Sequence, residues 1–280
     1  MSDSNNLIEL THPKKGITIM WLNRPHVHNA FDPELISAVT STVRKQARDP
    51  NTRVLIIAGR GPSFCSGADL NYMKSMVNFT LDENVEDAHK LAAMLQALHT
   101  FPKPLISAVH GNVYAGALGM VAATDIIIAA EDTRFCISEV RLGLVPAVIA
   151  PYVIARMGAH YARRYFLTAE VFDAAAAQEA RLVHQCVPAD ALMDSALAMA
   201  DRLLHNGPHA IATAKTLMRE LLGVADKSVM TQYTCEIISR VRTGAEAQAG
   251  LQAFFDKQPA PWVPGEEVPS EEIPDGDDAS

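Results

Sequence analysis

The sequence predicts an α/β fold with a helical C-terminal region, and three observations carry that expectation. Short β-branched runs alternate with helix-period patterns through the first half of the chain, the signature of strands joined by crossover helices. From about residue 148 onward the apolar spacing is helical almost throughout. A chain of 280 residues with 49% hydrophobic content is also long enough to bury a substantial core.

Taken in order, GITIMWL (16–22) alternates like a strand and is ended by NRP. Asp32 then offers a cap for a helix that starts with Pro33 and Glu34. RVLIIAG (53–59), PLISAVHG (104–111) and DIIIAAE (125–131) read as buried strands, and GALGMVAAT between the last two reads as a short helix of small residues. VIAPYVIARMG, HYARRYFLTA and FDAAAAQEARL are helical, separated by Gly158 or by a cap at Asp173, and LVHQCV is one more short strand. ALMDSALAMADRLLHNG, AIATAKTLMRELLG and a helical pattern from about Lys227 to Phe255 complete the body. Helix pairs with this much apolar surface commonly pack on a partner subunit as well as on their own core. The chain divides into a core over 1–200, a helical region over 201–262 and a tail over 263–280.

The net charge of −8 is unevenly placed: Glu266, Glu267, Glu271, Glu272, Asp275, Asp277 and Asp278 contribute −7, leaving a body near −1. That tail reads as solvated, and the nearly balanced body argues against a nucleic-acid-binding protein, which needs a positive field. Cys65, Cys136, Cys186 and Cys235 form no C-x-x-C pair, so free thiols in a reducing compartment are expected. The N-terminus lacks a signal or transit pattern, and no apolar run is long enough for a membrane span. The expectation is a soluble cytoplasmic protein.

Three segments carry candidate chemistry. GRGPSFCSGADL (59–70) follows a strand, but Phe64 stands where a dinucleotide fingerprint needs glycine and Pro62 disrupts the helix start. Its small residues Ser66, Gly67 and Ala68 let a ligand approach backbone N–H groups, or simply make a tight turn. In AVHGNVYAGALGMVAATD (108–125) a helix begins near Ala115 or Gly116, and its N-terminal amides can stabilise an oxyanion. Close helix–strand packing uses the same small residues. In RFCISEVRLGLVPAV (134–148) Glu139 sits among Ile137, Val140 and Leu142, and desolvation there would raise its pKa toward acid–base work. A surface ion-paired glutamate is the simpler reading of that segment alone. His26-x-His28 lacks further ligands nearby, so no metal site is expected.

These segments in this order, with WLNRPHVHNAF (21–31) before them, resemble the crotonase (enoyl-CoA hydratase/isomerase) superfamily over roughly residues 7–262. The resemblance implies a ClpP/crotonase-like spiral of ββα units, a helical C-terminal trimerisation region, and homotrimers or homohexamers. It implies that the Ala68 and Gly116 N–H groups hold the oxygen of an acyl-CoA thioester, with Glu139 as the acid–base. It further implies CoA contacts from His26, Val27, the Ser66 carbonyl, Asp69 and Leu70, with Arg24 near a phosphate. The CoA moiety belongs to the substrate, so no separate cofactor is expected.

One departure narrows the expected reaction. Two-glutamate hydratases carry a second carboxylate where this chain has Gly119, so only Glu139 remains. That pattern resembles Δ3,Δ2-enoyl-CoA isomerases, and more closely the bacterial hydratases of branched glutaconyl-CoA substrates in leucine and acyclic-terpene breakdown. The expected reaction is hydration of 3-methylglutaconyl-CoA or a related thioester, with isomerisation as the alternative and RNA binding a remote one. Arg141 is a candidate partner for a second substrate carboxylate.

Overall fold

Alternation along the apolar strands decides the layers. In the computed structural model, which describes residues 7–222 and 226–264, β1 (Ile8–Lys14) and β2 (Gly16–Leu22) form a hairpin. The chain then runs through α1 (Pro33–Arg48), β3 (Thr52–Gly59), α2 (Leu70–Met76), α3 (Leu81–His99) and β4 (Leu105–Val109). β5 (Asn112–Tyr114), α4 (Gly116–Ala122), β6 (Ile126–Ala130) and β7 (Arg134–Cys136) follow, then α5 (Ala150–Thr168), β8 (Phe172–Asp173), α6 (Ala174–Glu179) and β9 (Gln185–Val187). α7 (Leu192–Leu204), α8 (Pro208–Leu221), α9 (Lys227–Thr243) and α10 (Ala245–Phe255) complete it.

The main sheet has the order β1-β2-β3-β4-β6-β9 and is parallel except for the opening hairpin. Met20, Leu22, Leu55, Ile57, Leu105 and Ile127 point to one face and bury α1, α3 and α4. Ile17, Ile19, Val54, Ile56, Ile106 and Ile128 point to the other, where α7 presents Leu192, Ala196, Ala200 and Leu204 at helical spacing. Burial on both faces explains why the strands read as continuous apolar runs. α7 runs through residue 200 and packs on this sheet, so the last helix of the core crosses the boundary expected there.

Several local expectations are met. Asp32 caps α1 through Leu35 N–H at 2.7 Å, and Asp173 caps α6 through Ala176 N–H at 2.9 Å. Gly158, at φ 70° and ψ 164°, breaks α5 where the sequence placed a boundary. The single helical pattern from Lys227 to Phe255 is two helices, separated at the extended Gly244. Among the described residues no helix is long and apolar enough to cross a membrane. The acidic run from Glu266 to Asp278 lies outside the described residues.

A second, small sheet of order β5-β7-β8 is the feature that builds the site. Its strands are two or three residues long and carry no alternation that a sequence pattern can detect.

Candidate active site

Three stretches of backbone far apart in the sequence lie side by side. Cys65 and Val113 form a parallel bridge, with the Cys65 N–H donating to the Asn112 carbonyl at 3.1 Å and the Tyr114 N–H to the Cys65 carbonyl at 3.2 Å. β5 in turn pairs in parallel with β7, Val113 opposite Phe135 and Tyr114 opposite Cys136. Positions 65, 113 and 135 therefore share one level. Parallel register advances residue for residue, so Gly67 comes to lie beside Ala115 as the ladder ends, with Ala68, Gly116 and Glu139 on the segments that leave it.

Contacts past the bridges keep this alignment. A Cβ built on Gly67 would meet the Tyr114 carbonyl oxygen at 3.2 Å and the Ala115 Cβ at 3.4 Å, and the Ala115 N–H donates to the Cys136 carbonyl at 2.8 Å. Phe31 buttresses both turns. It exchanges backbone bonds with Gly67 and Asp69 at 2.7 Å each, and its ring lies 3.4 Å from where a Gly116 Cβ would stand.

The residue before each candidate donor has a left-handed φ: 96° at Gly67 and 50° at Ala115. Such a residue turns the following peptide out of the ladder, and among the described residues neither the Ala68 nor the Gly116 N–H makes a hydrogen bond. For Ala115 this conformation, at ψ −121°, carries strain of about 1–3 kcal/mol. It is held by the bond to Cys136 and by Leu118 N–H donating to the Ala115 carbonyl at 2.9 Å.

Glu139 opens a 3-10 turn, Glu139–Leu142, rather than lying between two strands as its flanking residues suggest. The side chain is half-buried, and its Oε2 is sealed from solvent without a hydrogen-bond partner among the described residues. Burial pushes the carboxyl pKa up from the ordinary range, partly offset by a backbone hydrogen bond within the residue. A sealed carboxylate oxygen with nothing to accept from is costly in a resting protein and suited to a proton transfer.

At Gly119 the structure explains the missing carboxylate. A Cβ there would stand 2.2 Å from Ile149 Cγ2 and 2.6 Å from Ile149 Cβ, so the first residue of the turn into α5 occupies the space a side chain would need. Neither Ile149 nor this closure is visible in the motif spacing.

The loop ahead of α1 is fastened by residues the sequence reading left unassigned or placed differently. Asn29 is fully buried at φ 54°; its Oδ1 accepts from the Arg24 N–H at 2.7 Å, and its Nδ2 donates to the Arg60 and Ser63 carbonyls at 2.9 and 2.8 Å. Arg24 donates to the Ala30 carbonyl at 2.6 Å and pairs with Asp32 at 2.9 Å and Asp69 at 3.4 Å. Its charge is thus matched twice within the fold, which makes it an organiser of the loop. Asp69 caps α2 through the Asn71 and Tyr72 N–H groups at 2.8 and 3.3 Å, so its carboxylate is engaged as well. The Tyr72 hydroxyl donates to Asp87, tying α2 to α3 beside the site.

The remaining expected CoA contacts lie at the surface of the same loops. His26 is exposed and Val27 half-buried on the turn Pro25–Val27, Ser66 is half-buried with its N–H on the His28 carbonyl at 3.0 Å, and Leu70 is 73% exposed. An apolar side chain that open beside the Ala68 turn is available to a ligand. Arg141 is exposed on the Glu139 turn.

Two adjacent turns with free main-chain donors, and a desolvated carboxyl on the segment that follows β7, give the site its outline. The family model for enoyl-CoA hydratase/isomerase matches residues 12–264. The chain is similar to an enoyl-CoA hydratase structure from Shewanella pealeana, at 40% identity and a TM-score of 0.88, covering 92% of this chain and 97% of that one. It is also similar to Pseudomonas aeruginosa AtuE, at 29% identity and a TM-score of 0.87 over 92% and 100% of the two chains. Among characterised sequences, the 2,3-dehydroadipyl-CoA hydratase of Escherichia coli is 29% identical over 247 residues, 88% of this chain and 94% of that protein. The chain belongs to the enoyl-CoA hydratase/isomerase family and has the crotonase fold.

Proposed function

We propose that this enzyme adds water across the C2–C3 double bond of a branched enoyl-CoA, with 3-methylglutaconyl-CoA or a related glutaconyl-CoA as the substrate class, in leucine or acyclic-terpene catabolism. The observation that supports the reading is the unpartnered, sealed Oε2 of Glu139 on the segment that follows β7, together with the free Ala68 and Gly116 N–H groups on two adjacent turns. The two N–H groups would donate to the thioester oxygen as it gains enolate charge, each worth about 3 kcal/mol at the transition state. Water oxygen bonds to C3, C2 receives a proton, and Glu139 carries protons between water and carbon. The thioester is the electron sink, so this reading calls for no separate cofactor or metal.

Two further observations support the substrate class. The Escherichia coli relative is named for a thioester of a dicarboxylic acid, and Arg141 lies exposed on the turn that starts at Glu139, where a second carboxylate can reach it. His26, Val27, the Ser66 carbonyl and Leu70 would meet CoA, while Arg24 and Asp69 keep the loop in shape. Exposed Ile238, Leu251, Phe254 and Phe255 on α9 and α10 favour a homotrimer or homohexamer, and four free cysteines favour the cytoplasm.

Isomerisation of a 3-enoyl-CoA is the second reading, favoured by Ile149 closing the position of a second carboxylate. The two are separated by assaying the purified protein with 3-methylglutaconyl-CoA and with a 3-enoyl-CoA. Loss of the conjugated absorbance of the first is expected; turnover of the second alone would replace hydration with isomerisation.

A further inference from the structure

A cavity of about 830 Å³ opens at the C-terminal end of α4, between the end of α3, the start of α5 and α8. That is within the range of small-molecule sites. The seven residues of α4 put it about 10 Å along the helix axis from the Gly116 turn, and Ala68, Gly116 and Glu139 are not among its lining residues.

Three cations line it against one carboxylate, Asp125. Lys215 is 7% exposed; its Nζ donates to the Asp125 carboxylate at 2.5 Å and to the Lys103 carbonyl at 2.6 Å. That pair cancels. Arg156 is half-buried and bonds only through Nε, to the Ala122 carbonyl at 3.1 Å; its two terminal nitrogens make no hydrogen bond or ion pair among the described residues. Arg219 reaches only neutral oxygens, the His99 carbonyl at 3.4 Å and the Thr216 hydroxyl at 3.3 Å. His184 accepts from the Ile127 N–H on Nδ1 at 3.0 Å, so its neutral ring carries the proton on Nε2 as a further donor.

Asp125 is committed to Lys215 at 2.5 Å and reaches Arg156 only through its field, so the lining keeps a net positive charge, and burial costs the Arg156 guanidinium hydration. An oxyanion relieves both penalties, and the guanidinium fork is shaped to bind it through two parallel hydrogen bonds. Alongside them the lining is apolar, with Ala122, Ala123, Tyr152 and Met218. We propose that this cavity binds a small amphipathic oxyanion, its carboxylate or phosphate head held by Arg156 and Arg219 and its apolar body against the alanines and Tyr152.

Calorimetric titration of the intact protein with sodium hexanoate and with inorganic phosphate, at fixed ionic strength, tests this. Saturable binding of at least one probe is expected, weakened about tenfold by Arg156→Gln and by Arg219→Gln as each removes a charge-assisted bond. Thermal unfolding and basal enoyl-CoA turnover of both variants should match the parent. Tighter binding of hexanoate assigns a carboxylate with an apolar chain, and tighter binding of phosphate assigns a phosphate ester. Absence of saturation with both probes, or equal affinity in the variants and the parent, overturns the proposal.

Discussion

Gly119→Ala adds one carbon, and two distances fix its effect. The new Cβ would stand 2.2 Å from Ile149 Cγ2 and 2.6 Å from Ile149 Cβ, whereas carbon pairs settle at about 3.5–4.0 Å. Rotating Ile149 moves its Cγ2 but not its Cβ, so α4 and α5 must separate by roughly 1 Å. Overpacking of this kind costs about 1–3 kcal/mol, and replacing a helical glycine returns about 1 kcal/mol, for a net loss of about 0–2 kcal/mol. Ile149→Gly removes the whole side chain, Cβ included, from a position 2% exposed and should lose about 3–5 kcal/mol. In that background the Gly119→Ala change should become neutral or stabilising. Urea unfolding of both single variants and the double variant measures the coupling, expected at about 2 kcal/mol. Additivity within about 0.5 kcal/mol would refute the closure of this position by Ile149. The same closure predicts that a second carboxylate cannot be restored by Gly119→Glu without first shortening Ile149.

Other substitutions probe the remaining parts of the site. Glu139→Gln should lower turnover by about 10²–10⁴ while CoA-ester binding persists, measured by steady-state kinetics beside calorimetry. The folded protein holds the Glu139 proton more tightly than the unfolded chain does, so the stability this carboxyl contributes when protonated is lost as pH rises from the ordinary carboxylate range through its raised pKa. Glu139→Gln should therefore raise the unfolding temperature at neutral pH and flatten that part of the pH–stability curve; equal stability of variant and parent across the range would contradict the desolvation. Ala115→Gly relieves a left-handed φ of 50° and should stabilise by about 1 kcal/mol, whereas a destabilised variant would show that the turn is unstrained. Arg24→Gln strips the partner from Asp32 and Asp69, whose side chains are 19% and 12% exposed, and should cost about 3 kcal/mol in denaturant unfolding. A variant as stable as the parent that binds CoA esters more weakly would return Arg24 to the phosphate role.

The long-range strands were legible because each is an apolar run buried on both faces, and α1 because Asp32 and Pro33 announce its start. The opening strand, Ile8–Lys14, went unread: it lies at the sheet edge, ends exposed, and includes a proline. α3 was missed as well, since buried Met94, Leu95 and Leu98 occupy only its last turns while its first half is exposed. At the site, the residue types at 68, 116 and 139 could be singled out from small-residue turns and an apolar-flanked acid. Their approach could not, because it rests on one bridge and one three-residue ladder between segments 48 and 22 positions apart, 65 to 113 and 113 to 135. Asn29 and Ile149 escaped for the same reason, since the contacts that define them reach 30 or more residues away in each case.

Crystals of the Glu139→Gln protein with 3-methylglutaconyl-CoA examine the convergence of the two turns most directly. The thioester oxygen should lie about 3 Å from both the Ala68 and the Gly116 nitrogens, with the side chain at position 139 facing C2 and C3. A thioester oxygen bonded to neither nitrogen, or held by one while the other turns to a protein carbonyl, would contradict it.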